Sequence, residues 1–187
     1  MALFMARRYS GLMMRCQPLP ELWLLSDARN DAMLEDALRR LPRGSGFVFR
    51  HYHLPAGERQ ARFAQLARLA RACGHLTILS GDPATASRWG ADGTYGPVRT
   101  PVPGLIHLAT AHDMAEIAAA NRTQADALLL SPVFPTRSHP GGGVLGPIRF
   151  RLLAARAQMP VIALGGMTRR NACRLDWPRW AAIDGLS

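Results

Sequence analysis

Glycines, hydroxyls and basic side chains recur in this chain directly after short apolar runs. The run PVIAL is followed by Gly165-Gly166 and then Thr168. Glycine lets a backbone approach an anion, and a helix start offers free N–H donors. Strand-Gly-Gly-helix therefore reads as a phosphate cradle, with a tight turn as the plainer alternative. The run ALLL leads into Ser131 and then the Pro- and Gly-rich loop at residues 136–143, part of a strand-end collection rich in hydroxyls, glycines and basic groups. Arg50, His51 and Tyr52 follow GFVF, and Gly81 and Asp82 follow LTILS. Asp82, with Pro83 next, fits a helix N-cap. Thr110 and His112 follow LIHLA, and His112 stands where it would cap or pack at the helix starting near Asp113. His51, His53, His75 and His107 lack metal-ligand spacing, and His51-x-His53 reads as a strand-end coincidence.

These residues need a scaffold that gathers strand ends. Eight apolar runs, at residues 21–27, 46–51, 75–80, 92–96, 105–110, 125–134, 160–166 and 180–185, read as strands. Helical spacing fills most of the intervals: residues 30–41, 57–73, 113–121, 148–157 and 168–175, with a weak helix at 84–89. Between the fourth and fifth runs VRTPVPG, with two prolines and a glycine, leaves no room for a crossover helix. The alternation predicts an α/β fold with a parallel sheet. The strand count favours a TIM (β/α)8 barrel, abbreviated, with helix 4 short or missing and helix 8 absent; a doubly wound open sheet is the alternative. In either fold ligands sit at the C-terminal strand ends, where the residues above stand. Residues 1–20 read as an irregular leader and 21–187 as a single domain.

Composition narrows the function classes. The 187 residues are 48% apolar and 19% charged, a globular balance with enough chain for one core. The net charge is +10, mostly from arginine. An anionic partner and a solvated basic surface both fit that excess; no aromatic-interleaved patch accompanies the arginines, which argues against nucleic acid. Cys16, Cys73 and Cys173 are too few and too scattered for a disulfide framework or a zinc site. With no apolar run near ~18 residues, a membrane span is not expected, and a cytoplasmic protein is.

Residues 125–168, ADALLLSPVFPTRSHPGGGVLGPIRFRLLAARAQMPVIALGGMT, resemble the thiamine phosphate synthase/TenI family. That family carries a GPVFPT-x-[ST]-K segment, a Leu-Gly before a helix and a PV-x-AIGGI-[ST] strand. Weaker likeness runs upstream through LWLLSD, ADGTYG and Thr110-Ala111-His112. The resemblance implies a TIM barrel acting in thiamine biosynthesis. A synthase would couple a hydroxymethylpyrimidine diphosphate with a thiazole phosphate, using Mg²⁺ and releasing pyrophosphate. A TenI-like relative would isomerise the thiazole phosphate without metal. A barrel that binds a phosphate ligand without catalysis is the third reading.

Carried over position by position, the resemblance places Gly165 and Gly166 on the thiazole phosphate. It places Thr136, Arg137, Ser138 and His139 on the diphosphate or thiazole, with Thr110 beside them. Arg50 becomes the diphosphate grip, His112 the acid/base group and Asp82 the metal ligand. The chain also departs from the pattern: Val48 and Tyr52 replace a Gln and a Lys around Arg50, and His139 replaces a Lys. Gly81 replaces an Asn, and the stretch at residues 96–100, GPVRT, lacks the second metal carboxylate. The expected partner is a phosphorylated small molecule. Strand surface left bare by the missing helices makes a homodimer possible.

Overall fold

The computed structural model describes residues 19–97, 102–137 and 141–186. Residues 1–18, where a leader was expected, and residues 98–101, 138–140 and 187 lie outside them. Eight strands close into a parallel barrel in sequence order: β1 (Leu22–Leu25), β2 (Gly46–Phe49), β3 (Leu76–Ser80), β4 (Gly93–Tyr95), β5 (Ile106–Ala111), β6 (Ala127–Leu130), β7 (Val161–Ala163) and β8 (Trp180–Ala182). The helices between them are α1 (Leu34–Arg40), α2 (Ala56–Ala72), α3 (Pro83–Trp89), α4 (Met114–Thr123), α5 (Gly146–Ala154) and α6 (Arg169–Leu175). The open-sheet alternative is excluded because β8 pairs with β1 as well as with β7.

The strand period of two sorts the core. Trp23, Leu25, Val48, Ile78, Leu108, Leu129 and Ile162 point inward and fill the lumen. Their alternates point outward and meet the helices, in two separate clusters. One joins Leu24, Phe47, Phe49 and Leu79 to α1, α2 and α3. The other joins Ala109, Ala111, Leu128, Leu130 and Ala163 to α4, α5 and α6. The division falls where crossover helices are short of the full set. Among the described residues no helix lies between β4 and β5, as the two prolines predicted. After β8 a 3₁₀ turn at Asp184–Leu186 stands where an eighth helix would, and Leu186 packs on both clusters.

Helix boundaries follow side-chain caps. Asp82, Asp113 and Thr168 accept from the N–H three residues on, at Thr85, Glu116 and Asn171, and so start α3, α4 and α6. Residues 30–41 form less regular helix than their spacing predicts. A 3₁₀ turn, Ala28–Met33, capped by Asp27, precedes α1. Asn30 explains the tight turn: its amide donates to the carbonyls of Leu25 and Ile183, which pins it to the ends of β1 and β8.

Candidate functional site

The C-terminal strand ends surround an open cleft of about 890 Å³, lined by Arg50, Thr136, Arg137, Gly165, Gly166 and His112 among others. A smaller lobe of about 570 Å³, over β3 to β5, is lined by Ser80, Asp82, Thr110 and again His112. Tyr52, Tyr95, His112 and Ser131 border both lobes. Every sequence-predicted site residue among the described ones thus faces one continuous depression. Ser138 and His139 lie outside the described residues.

Arg50 follows β2 on the inward side, and three groups hold it. Its N–H donates to Ser26 Oγ at 2.7 Å, its carbonyl accepts from Arg59 Nε at 3.0 Å, and its guanidinium stands 3.8 Å from Asp27 Oδ2. Arg50 Nε is buried without a hydrogen-bond partner among the described residues. An unpaired buried donor calls for an acceptor from outside the protein, and an anion in the cleft would supply one.

The loop after β7 shows why two glycines stand there. Gly165 and Gly166 have φ of +91° and +61°. A Cβ on Gly165 would lie 2.6 Å from Pro132 Cα, and one on Gly166 would collide with the Pro135 carbonyl and Phe134. The first cause of the glycines is therefore close packing of this loop on the loop after β6. The same contact aligns them: Val133 and Phe134 N–H donate to the carbonyls of Leu164 and Gly165. With those carbonyls turned toward the neighbouring loop, the Gly165 and Gly166 N–H groups find no acceptor among the described residues.

His112 does not cap α4. Asp113 does, and Glu116 reaches back to accept from the His112 N–H at 2.6 Å, with His112 Nδ1 3.0 Å from the same carboxylate oxygen. The ring is half exposed and borders both lobes. Asp82 is the N-cap of α3, and hydrogen bonds from the Thr85 side chain and backbone hold its carboxyl below the ordinary value. It is the one carboxylate lining the smaller lobe, and no group of three or more His, Cys, Asp or Glu among the described residues could hold a metal. Mg²⁺ commonly takes one or two carboxylates and completes its shell with phosphate oxygens and water. The donors present fit an ion carried in by a diphosphate, and they do not fit a site built by protein alone.

Sequence reasoning missed the charge chain over the barrel mouth. Asp27 pairs with Arg50 and Arg29, and Arg29 reaches Asp184 at 3.5 Å. Asp184 in turn lies 3.6 Å from Arg137 Nε, whose side chain is 82% exposed. Burial alone would raise Asp27, but hydrogen bonds and charge from Arg29 outweigh it and lower its pKa. Asp27 and Asp184 follow the ends of β1 and β8, a position that could have flagged them; nothing in the sequence points to their arginine partners. Arg149, on the first turn of α5, also lines the cleft. His51 takes part in no metal-ligating group among the described residues, but its hydrogen-bonding role was not foreseen. It is buried, with φ of +34°, and hydrogen-bonds Ser26 and Asp31. A non-glycine residue holds such a backbone only when its surroundings over-determine it.

Among the described residues no helix is long and apolar enough to cross a membrane. The sequence profile of the thiamine monophosphate synthase family matches residues 23–176. A thiamine-phosphate synthase of Chlorobium luteolum is 31% identical over 164 residues, covering 82% of this chain and 77% of that one. A thiamine-phosphate synthase of Geobacillus kaustophilus is 33% identical over 129 residues, covering 64% and 58%. Among solved structures, a thiamine phosphate pyrophosphorylase of Pyrococcus furiosus superposes with a TM-score of 0.72 at 25% identity, covering 88% of this chain and 85% of that one.

Proposed function

The chain belongs to the thiamine monophosphate synthase family, and on that premise we propose that it couples a hydroxymethylpyrimidine diphosphate with a thiazole phosphate in thiamine biosynthesis. The observation that carries this reading is the larger cleft. It holds three arginines, Arg50, Arg137 and Arg149, and two unengaged backbone donors, Gly165 and Gly166, in one depression. One anion cradle suits the thiazole phosphate and the other the diphosphate.

In the reaction the C–O bond to the diphosphate breaks and its electron pair leaves with pyrophosphate. The thiazole nitrogen then gives its lone pair to the resulting carbocation, which the aminopyrimidine ring stabilises. The protein must neutralise charge developing on the leaving group and hold the nitrogen in line. Arg50 grips the diphosphate through its guanidinium, with Nε available. Arg137 turns from Asp184 toward the same anion; its exposure makes that cheap. Thr136 and the sequence-assigned Ser138 and His139 complete the grip, and Thr110 borders the neighbouring lobe. Bound with the diphosphate at Asp82, Mg²⁺ would add charge neutralisation. Gly165 and Gly166 N–H groups, at the start of α6, hold the thiazole phosphate. His112 lines both lobes; the coupling itself transfers no proton, and an acid/base role for its imidazole belongs to the isomerase alternative.

The test is a coupling assay with both substrates and Mg²⁺, followed by product detection. Thiamine phosphate formation, lost in Arg50→Ala, is the expected result. Thiazole phosphate conversion without coupling, abolished in His112→Ala, would replace this reading with the isomerase. Binding without turnover would leave a ligand-binding barrel.

A further inference from the structure

A hydrogen-bonded chain runs behind Arg50, on the helix side of the barrel wall. Ser26, fully buried at the end of β1, accepts from the Arg50 N–H at 2.7 Å. Its Oγ also lies 2.8 Å from His51 Nδ1, and His51 Nε2 lies 2.7 Å from Asp31 Oδ1. Asp31 is held in turn by Arg62, whose guanidinium also binds Glu35 at 2.5 Å.

The chemistry of the groups assigns the protons. An ionised carboxylate only accepts, so His51 Nε2 carries hydrogen and donates to Asp31. In the neutral ring Nδ1 is then an acceptor, and the Ser26 hydroxyl donates to it. That leaves the Ser26 lone pairs for the Arg50 N–H. All donors point the same way, from Arg50 through Ser26 and His51 to Asp31.

We propose that Ser26, His51 and Asp31 form a positioning relay that holds Arg50 at the anion site, resting on the reading of Arg50 as a diphosphate ligand. Ser26 is too buried to serve as a nucleophile, and His51 does not line the cleft. The hydrogen bond that links them to the site runs from the Arg50 backbone N–H to Ser26 Oγ. The neutral ring is the working form. A second proton, on Nδ1, would turn that nitrogen into a donor and leave the Ser26 hydroxyl proton without its acceptor. The groups facing His51 are Asp31 from the 3₁₀ turn, Arg62 from α2 and His53, whose ring centroid is 5.0 Å away; Glu35 of α1 acts through Arg62, and the Phe49 ring stacks on His51 at 4.6 Å. Burial favours the neutral ring and outweighs the opposing pull of Asp31, so the His51 pKa is lowered.

The probe is inorganic pyrophosphate with Mg²⁺, its affinity measured by calorimetry. Ser26→Ala leaves a buried Arg50 N–H unpaired and is expected to weaken binding about tenfold. In an Arg50→Ala background the same change should add nothing. His51→Asn keeps an acceptor beside Ser26 and tolerates the positive φ, so it should bind within about twofold of the natural protein. His51→Phe removes the acceptor and should match Ser26→Ala. Below the ordinary histidine range the natural protein should lose affinity that His51→Asn, measured at the same pH, retains.

Additive losses in the Ser26→Ala, Arg50→Ala cycle would overturn the relay, as would equal binding by the Asn and Phe variants. If Ser26→Ala does not fold, the two His51 variants, each combined with Arg50→Ala, decide the same question. Unchanged binding in Arg50→Ala alone would instead overturn the reading of Arg50 as an anion ligand.

Discussion

Single positions carry unequal burdens at this site. Gly165→Ala forces a Cβ against Pro132 and keeps a φ of +91°, so it should cost about 1–3 kcal/mol in stability and weaken thiazole phosphate binding. Gly143→Ala, where a Cβ meets nothing within 4 Å, should leave stability within about 0.5 kcal/mol. Thermal unfolding of the two variants side by side checks both. Asp82 separates two roles cleanly. As a cap alone, Asp82→Ala should lower stability by about 1 kcal/mol with turnover unchanged. As a cation ligand it should also raise the Mg²⁺ concentration needed for half-maximal rate, and that second effect is the expected one. Titration behaviour follows from the same contacts. Burial would raise Asp31, but His51 and Arg62 outweigh it, while Arg62 first of all lowers Glu35. A lowered carboxylate adds stability that is complete above its ordinary pKa, 3.8 for Asp and 4.5 for Glu, and is lost as pH falls through the lowered one. For His51 the unfolded chain takes up its proton first, so stability also falls as pH drops from 6.5 toward the lowered value. Thermal midpoints should therefore decline in two stages on acidification, and His51→Asn should remove the upper stage.

Elements divide their work between packing and aiming. α2 is the longest helix among the described residues, and it buries Phe63, Leu66, Ala67 and Ala70 against the outer faces of β2 and β3. It also sends Arg59 to the carbonyls of Arg50 and Ser80 and Arg62 to Asp31. One helix thus ties the ends of β2 and β3 to the turn before α1. Phe63→Ala should cost about 3–5 kcal/mol through the cavity it leaves, read as a shift in the denaturant midpoint. Its apolar spacing was legible in the sequence. The arginines looked like a solvated face, because periodicity reports which side is apolar and not which carbonyls a guanidinium will meet.

The whole barrel closes through seams of unequal length. β2 and β3 share four register pairs, while β7 and β8 share one, Ala163 with Trp180. Opening should begin where the ladder is shortest. Hydrogen exchange should show amides of β8 exchanging ahead of those of β2 and β3; uniform protection around the barrel would contradict this. Only three arginines and two aspartates meet in the chain across the mouth, from Arg50 to Arg137, yet they link β1, β2, β8 and the loop after β6. The +10 charge is therefore partly organised at the site rather than spread as a featureless basic surface.

Strand count, the lack of a helix among the described residues between β4 and β5, and the gathering of Arg50, Asp82, His112 and the two glycines at one end were determined by the sequence itself. Apolar runs and glycines are local signals, and a parallel barrel has only one end to which strand-following residues can go. Tertiary structure decided what those residues touch. The collision that demands Gly165, the pairing of Asp184 with Arg137 and the path from Arg50 to Asp31 each join segments distant in sequence. Hydrogen bonds and ion pairs depend on distances of a few tenths of an ångström, which residue spacing along one strand or helix does not specify across the fold.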